Sequence, residues 1–259
     1  MTTCKRLIAV SGMALGLLAT SVFVATDALA QAQAVDSAAV QKFKRMTEFL
    51  DGLQQFSVST QSIIEESRFG GHRVDFDLAA KVTIKRPNKL SAARSGQLLN
   101  EQLFYDGTTL SLYRPSDGTY ATATAPGTIE KMVDFARENV GILLPAADLV
   151  YRGAFPLMMQ DVSLATVVGQ TVIGGVKCDH LLFSRPGADF QIWIAEGKQP
   201  LPCKYVVTET DTPTKLSITT FLTGWNMKPA VQDTQFKFVP PKGAKAIPLP
   251  QEVTGKPGR

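Results

Sequence analysis

One strictly alternating stretch, between positions 74 and 84, constrains the fold of this chain more than any other feature. Apolar side chains occupy every second position of it: Val74, Phe76, Leu78, Ala80, Val82 and Ile84. Charged or hydroxyl residues occupy most of the positions between them. Because successive side chains of a strand point to opposite faces of a sheet, the pattern predicts a strand with one dry and one solvated face. Such strands are typical of antiparallel sheets that cover a core on one side.

Other short runs with strand character follow one another through most of the chain. Several are separated by the turn dipeptides Ser95-Gly96, Asp106-Gly107 and Asp117-Gly118, which favour antiparallel hairpins. All the predicted strands lie near 56–64, 74–84, 89–95, 99–106, 109–114, 118–123, 166–173, 176–185, 189–195, 202–210, 215–226 and 236–239. We therefore predict a mainly β protein with some α-helix, whose sheet of about eleven or twelve antiparallel strands has to curl.

Two regions interrupt the strand pattern with helical spacing. Asp36 can cap an N-terminal helix whose apolar residues recur three or four positions apart, at Val40, Phe43, Met46, Leu50 and Leu53. The second region, 128–162, begins with a capping Thr128, contains a short helix that opens at Pro145, and ends in a stretch at 155–162. Since the concave face of a curled sheet needs a cover, we predict that 128–162 is a helical lid over it.

The first thirty residues have the parts of an export signal. Lys5 and Arg6 precede an apolar run at 7–25, and the segment ends in Ala28-Leu29-Ala30, a small-x-small cleavage site. Glycines within the run and the cleavage site favour a removed signal over a retained membrane anchor. We expect a signal peptide over 1–30, a single mature domain over 31–259, and a periplasmic location.

Composition and charge exclude several classes of function. The formal net charge of +4 is too weak to indicate nucleic-acid binding, and 44% hydrophobic with 19% charged residues indicates a globular chain. The sequence contains two histidines, His72 and His180. Neither a serine nucleophile elbow nor a phosphate-binding loop is present in it. We therefore predict no catalytic residues, no metal and no cofactor.

Cys178 and Cys203, the cysteines left after processing, allow two interpretations. A zinc or copper site with His180 is the less favoured one, because no fourth ligand is evident. A disulfide is the favoured one in an oxidising compartment, although one strand separates the two cysteines. Strands two places apart are about 9.6 Å from each other, beyond the ~7 Å limit between bridged Cα atoms. The bond would therefore have to form past the end of the middle strand, at the loop 196–202.

Short motifs along the chain resemble those of periplasmic protein families. Three segments of this chain resemble, in order, blocks of the periplasmic lipoprotein carrier LolA: KRPNKL at 85–90, YDGTTL at 105–110 and FKFVPPKGA at 236–244. An uncharacterised family of predicted periplasmic proteins, a domain of unknown function, more closely resembles GVKCDHL at 175–181, QIWI at 191–194 and PLP at 200–202. The resemblance implies a curved antiparallel half-barrel of the LolA/LolB-like superfamily, with helices plugging an apolar cavity that holds acyl chains. Arg86 falls in the shared motif and is interpreted as a strand-end residue before Pro87 rather than as a ligand contact.

The favoured functional hypothesis is a carrier or chaperone for a hydrophobic ligand, a lipid or the acyl chains of a lipoprotein, held between sheet and lid. This function implies transient contact with a membrane. The predicted cavity residues come from the alternating strand and the lid: Val74, Phe76, Leu78, Val82, Ile84, Met132, Val133, Met158 and Met159. The methionines suit a lid over variable lipid and ordinary packing equally well. The alternatives are an envelope sensor that uses the same cavity to regulate a protein partner and, more weakly, a hydrolase.

Overall fold

The alternating stretch lies in a fourteen-residue strand near the middle of a twelve-stranded sheet. The computed structural model describes residues 35–249 except positions 98 and 214. The strands are β1 Gln55–Arg68, β2 His72–Lys85, β3 Lys89–Gly96, β4 Asn100–Tyr105, β5 Thr109–Arg114, β6 Thr119–Thr124, β7 Leu164–Ile173, β8 Val176–Arg185, β9 Ala188–Ala195, β10 Pro202–Glu209, β11 Ser217–Asn226 and β12 Lys245–Ala246. Their order is β12-β6-β5-β4-β3-β2-β1-β11-β10-β9-β8-β7. The predicted mainly β class, an open curved sheet of about twelve strands, is confirmed.

Neighbouring strands of this sheet are antiparallel, apart from β12, which pairs in parallel with β6. The two long central strands pair along their full length, from Gln55 with Lys85 to Arg68 with His72. This register places Phe56 beside Ile84 and Thr60 beside Ala80 on the concave face. The sheet therefore carries one continuous row of short and apolar side chains from β1 across β2.

The N-terminal helix begins where the sequence predicts. The Asp36 side chain accepts a hydrogen bond of 2.8 Å from the amide of Ala38, and the helix α1 runs over Ser37–Gly52. Its buried face, which includes Phe43 and Met46, lies against β7, β8 and β9. Helix α1 therefore covers one half of the concave face.

The insertion between β6 and β7 covers the other half. It contains α2 Ile129–Glu138, a 3-10 turn Ala147–Val150 and the short α3 Ala154–Met158. The Thr128 hydroxyl accepts from the amide of Lys131, as expected of a cap. The predicted helix after Pro145 is a 3-10 turn rather than an α-helix, and the stretch predicted over 155–162 is helical in its first half only.

The predicted strand at 236–239 is wrong. Residues Asp233–Phe236 form a 3-10 turn, and the last strand is Lys245–Ala246. Phe236 and Phe238 alternate with polar or exposed neighbours because each aromatic ring packs against the protein, and not because the segment is a strand. Phe236 is fully buried, and the Phe238 ring packs on Phe104 at 5.6 Å between centroids. Two prolines follow Phe238 closely, and neither can donate to a strand ladder.

Strand β7 ends the sheet on one side. Within the described chain, Val35 pairs in parallel with Ala165 at the outer edge of β7. The carbonyl of Ala165 also accepts a hydrogen bond of 2.8 Å from the amide of Asp36. A register shift between Val167 and Gly169 interrupts its pairing with β8. Val168 and Val172, beyond that contact, are exposed.

The predicted signal peptide over 1–30, with cleavage after Ala30, lies outside the described residues. Among the residues that are described, no helix has the length and apolar character needed to cross a membrane.

Candidate ligand cavity

A cavity of about 80 Å³, here called the inner cavity, lies between the sheet and the insertion. Its sheet side consists of residues of β1, β2, β3, β4 and β11: Val58, Thr60, Ser62, Leu78, Ala80, Val82, Ile84, Leu90, Ala92, Arg94, Leu103, Leu222 and Trp225. Its cover consists of residues of α2, the 3-10 turn and the segment before it: Met132, Val133, Leu144, Pro145, Ala146, Ala147, Leu149 and Val150. Every one of these residues is buried or half-buried, so the cavity is largely closed to solvent.

Small side chains at the centre of the sheet leave this space. Thr60 of β1 pairs with Ala80 of β2. Val82 of β2 pairs with Ala92 of β3. Larger residues, Ile84 and Leu103 among them, surround these positions. Since protein interiors are otherwise filled to the density of organic crystals, a row of short side chains beneath a rigid cover produces a depression.

Five of the nine predicted cavity residues line the inner cavity: Leu78, Val82, Ile84, Met132 and Val133. Val74 and Phe76 lie further along β2 and are only half-buried, outside the lining. The Arg68 guanidinium stands 4.9 Å from the centre of the Phe76 ring. The alternation of β2 identifies the dry face correctly, but the cover stops before Phe76.

Met158 and Met159 also lie outside the lining. Met158 is buried in the main core, and Met159 is a half-buried residue packed against it. Their segment, α3, contacts α1 and the 3-10 turn. Met158 and Met159 therefore serve ordinary packing rather than the cover of the cavity. Met132, in contrast, lines the inner cavity.

Sequence reasoning missed the buried ion pair of Arg94 and Glu101. The Arg94 side chain, 3% exposed, donates to Glu101 Oε1 at 2.8 Å and to the backbone carbonyl of Leu143 at 2.5 Å. Burial lowers the pKa of Arg94, and the charge of Glu101 opposes this effect. A signal was available, because Arg94 follows Leu90 and Ala92 at every second position and therefore shares their dry face.

A second polar contact lies beside the inner cavity. The hydroxyls of Ser62 and Thr220 are 2.9 Å apart and buried. Their mutual hydrogen bond satisfies both groups without water. The polar atoms of this region are therefore paired within the protein.

An outer cavity of about 390 Å³ lies on the other side of the segment at 144–146. It is lined by Arg137, Gly141, Ile142, Leu143, Leu144, Pro145, Ala146, Asp148, Tyr205, Val207, Glu209, Leu216, Ile218 and Thr220. Gly141 and Leu143 are exposed, so this cavity opens to solvent there. Nothing in the sequence alone indicated it, because its residues come from separate segments without a common pattern.

Arg86 follows β2 directly, as the strand-end interpretation requires, but its side chain is only 1% exposed. It donates to the carbonyl of Val150 at 2.7 Å and lies 3.4 Å from Glu130 Oε1. Burial lowers its pKa, with Glu130 opposing. Arg86 therefore fastens the end of β2 to the cover rather than facing the inner cavity.

The cysteines lie on the convex face, away from both cavities. Cys178 and Cys203 are buried free thiols within hydrogen-bonding reach of each other, in a cluster with Trp193. Cys203 lies at a register shift of β10, next to Ala195, which pairs with Cys178. The structure thus brings together the two side chains of the predicted disulfide at the end of the middle strand, and the bond itself stays a prediction.

The two thiols lie in apolar and aromatic surroundings. Burial raises the pKa of both Cys178 and Cys203. The His180 ring stacks on Trp193 at 3.9 Å between centroids, and its Nε2 lies 2.9 Å from Gln191 Oε1. Over the described ranges, no group of three or more His, Cys, Asp or Glu residues is placed to hold a metal ion.

Comparison with known proteins places the chain in a family. A family model described as predicted periplasmic protein (DUF2092) matches residues 39–249, from within α1 to beyond β12. The chain belongs to this family. The relationship to an uncharacterised family of predicted periplasmic proteins, expected from the motifs, is therefore confirmed. No curated protein matches the chain.

Solved structures resemble this DUF2092 member at low sequence identity. An uncharacterized conserved protein from Thermus thermophilus is 12% identical, with a TM-score of 0.47 over 82% of this chain and 99% of that one. The lipoprotein LppX of Mycobacterium tuberculosis is 14% identical, with 0.44 over 76% and 100%. A LolA superfamily protein from Nitrosomonas europaea is 8% identical, with 0.42 over 77% and 97%. Likenesses of this kind do not transfer a ligand.

Proposed function

We propose that this protein is a periplasmic carrier or chaperone that binds a hydrophobic ligand, a lipid or the acyl chains of a lipoprotein, between the sheet and the segment 128–162. The observation that carries the proposal is the inner cavity beneath the insertion, which is lined mainly by buried or half-buried apolar side chains. A space lined by apolar side chains favours hydrocarbon over water, because water needs polar partners. The family description, predicted periplasmic protein, supports the location.

The lining suits reversible binding. Its charged residue, Arg94, is already paired with Glu101, and the Ser62 hydroxyl is paired with Thr220. Burial of hydrocarbon contributes about 0.8 kcal/mol per CH₂, so even part of an acyl chain gives useful affinity without a covalent step. The ligand is therefore held by exclusion of water, and it is released when the cover loosens.

Identification of the ligand in protein purified gently from the periplasm tests the proposal. Native mass spectrometry should show an added lipid mass that organic extraction removes. Purified protein that carries no lipid and binds no fluorescent fatty acid at micromolar concentration would contradict it. A stable protein partner recovered by crosslinking, with the cavity empty of lipid, would instead favour the envelope sensor.

A further inference from the structure

One short segment separates the two cavities. Leu144, Pro145 and Ala146 line the inner cavity on one side and the outer cavity on the other. We call the segment at 141–147 the wall. Displacement of the wall would join the inner cavity to the outer one, which opens to solvent at Gly141 and Leu143.

Two arginines hold the wall by consecutive carbonyl groups. Arg94, from β3, donates to the carbonyl of Leu143 at 2.5 Å, and Arg137, from α2, donates to that of Leu144 at 3.2 Å. Each guanidinium also binds a carboxylate, Glu101 at 2.8 Å and Asp148 at 2.7 Å. The wall is thus fastened by two arginine side chains and by one backbone hydrogen bond of 2.9 Å from the amide of Ile142 to the carbonyl of Ala136 in α2. None of these three contacts belongs to a strand pairing, so the wall can move without loss of any.

The backbone at the ends of the wall suits such a movement. Gly141 has φ 69° and Ala146 has φ 57°, both in the left-handed region. Alanine occupies that region at some cost, and strained residues of this kind occur at segments that switch between conformations. The exposed Leu143 lies between these two positions.

We propose that the inner and outer cavities are two parts of one binding site for a single unbranched hydrocarbon chain, which enters through the outer cavity and passes the wall. This inference rests on the proposed function and specifies its ligand. At roughly 30 Å³ for a group the size of a water molecule, the inner cavity holds only two or three such groups and the outer one about a dozen. The outer cavity alone lies within the roughly 300–1,000 Å³ typical of small-molecule sites, whereas the inner cavity is too small to be such a site except as an extension of the outer one.

A series of straight-chain fatty acids of increasing length tests the inference. Each acid displaces the fluorescent probe 11-(dansylamino)undecanoic acid from the whole mature protein. Affinity should rise about fourfold per methylene, the equivalent of 0.8 kcal/mol, well beyond the two or three methylenes that the inner cavity can hold. Saturation should occur at one chain per protein.

Variants that fill either cavity locate the chain. Ala80→Leu adds three carbon atoms to the inner cavity, and it should lower the affinity of the longest acids more than tenfold while leaving short ones unchanged. Ile218→Trp fills the outer cavity and should lower the affinity of every acid more than tenfold. Thr219→Trp, on the opposite face of the same strand, is the matched control and should leave the affinity of every acid unchanged. If thermal unfolding shows that Ile218→Trp is unfolded, Val207→Phe replaces it.

Release of the wall is tested by the double variant R137Q/D148N, which removes the outer fastening without leaving an unpaired charge. Stopped-flow mixing should show probe entry at least threefold faster than in the parent protein. Two chains bound at saturation, or Ala80→Leu without effect at any length, would overturn the single site while leaving the carrier function standing. Failure of the parent protein to bind the probe and every acid would overturn both.

Discussion

The two halves of the concave face are built on the same sheet and covered by helices, yet one is filled and the other is hollow. Beneath α1, Phe43 lies 5.0 Å from Phe183, which stacks on Phe190 at 4.7 Å. Beneath the insertion, the facing positions of the sheet are short, as at Thr60 and Ala80. The size of the side chains that point to the concave face therefore decides which half of the sheet is filled and which is hollow.

The comparison also explains where rigidity lies. An aromatic cluster in van der Waals contact has little freedom to rearrange. The cover of the hollow half is instead fastened by polar contacts from Arg86, Arg94 and Arg137 to backbone carbonyls. Hydrogen bonds of this kind can open one at a time, so the proposed entry of a ligand would not require the filled half to move.

The largest effect is expected from Phe43→Ala. Deletion of this fully buried ring should lower the free energy of unfolding by about 3–5 kcal/mol, because a cavity remains where the aromatic cluster was. Urea denaturation measures the change, with the half-buried Val40→Ala on the same helix as a control of about 1 kcal/mol. A loss for Phe43→Ala as small as that for Val40→Ala would mean that the aromatic cluster beneath α1 is not tightly packed.

The predicted disulfide should stabilise the fold without changing the hollow half. A bond between Cys178 and Cys203 should contribute about 3 kcal/mol, through the restricted unfolded chain, that is lost on reduction. Because both thiols lie on the convex face, fatty-acid affinity should stay the same with and without reductant. Titration of thiols in denatured, unreduced protein exported to the periplasm checks the bond, and two free thiols would show that it does not form.

Charge in the hollow half should harm binding more than folding. Leu78→Asp places a carboxylate in the inner cavity, and we expect at least a tenfold loss of fatty-acid affinity, about 1.4 kcal/mol, with a loss of unfolding free energy smaller than that of Phe43→Ala. Phe76→Asp, outside the lining, should leave the affinity within about threefold of the parent value. Collapse of the Leu78→Asp protein in thermal unfolding would show that the hollow half is ordinary core.

The smallest effect concerns the attachment of α1. Lys42 Nζ lies 2.5 Å from Asp179 Oδ2. Burial raises the pKa of Asp179, but hydrogen bonds from Lys42 and Gln170 outweigh it and hold the pKa below its usual range. The pair therefore stabilises the fold above about pH 4 and loses this effect as pH falls through the lowered pKa.

Asp179→Asn should accordingly lower stability by up to about 1 kcal/mol at neutral pH, as for other partly exposed pairs. The difference from the parent protein in melting temperature should shrink towards pH 3, and ligand affinity should not change. If the difference in melting temperature instead grew as the pH fell, the contact between Lys42 and Asp179 would not stabilise the fold in the way proposed.

Much of the fold follows from local patterns, because strand alternation and turn dipeptides act over a few residues. Asp36 and Thr128 cap helices where the sequence indicates. The extent of the cavity could not be predicted in the same way. Whether Phe76 faces a lid depends on how far a separate segment reaches, and alternation carries no such information.

The missing parts of the site share one cause. Arg94 was detectable from its parity on β3, but its bond to Leu143 joins residues 49 positions apart in the chain. The wall likewise owes its position to contacts from two different elements. Long-range pairing of this kind is a property of the assembled sheet and cover, which a single sequence does not reveal.

The interruption in β7 has a consequence for how the sheet ends. An exposed edge strand presents unpaired amides and carbonyls, and it can recruit the edge of another molecule into a growing cross-β stack. Here the contact of Val35 with Ala165 occupies the start of the edge, and the register shift at Val167 and Gly169 breaks the regular spacing that an added strand would need. The edge available to another molecule is thereby shortened to a few residues near Val172, which lowers the tendency of two copies of the chain to pair through their sheets.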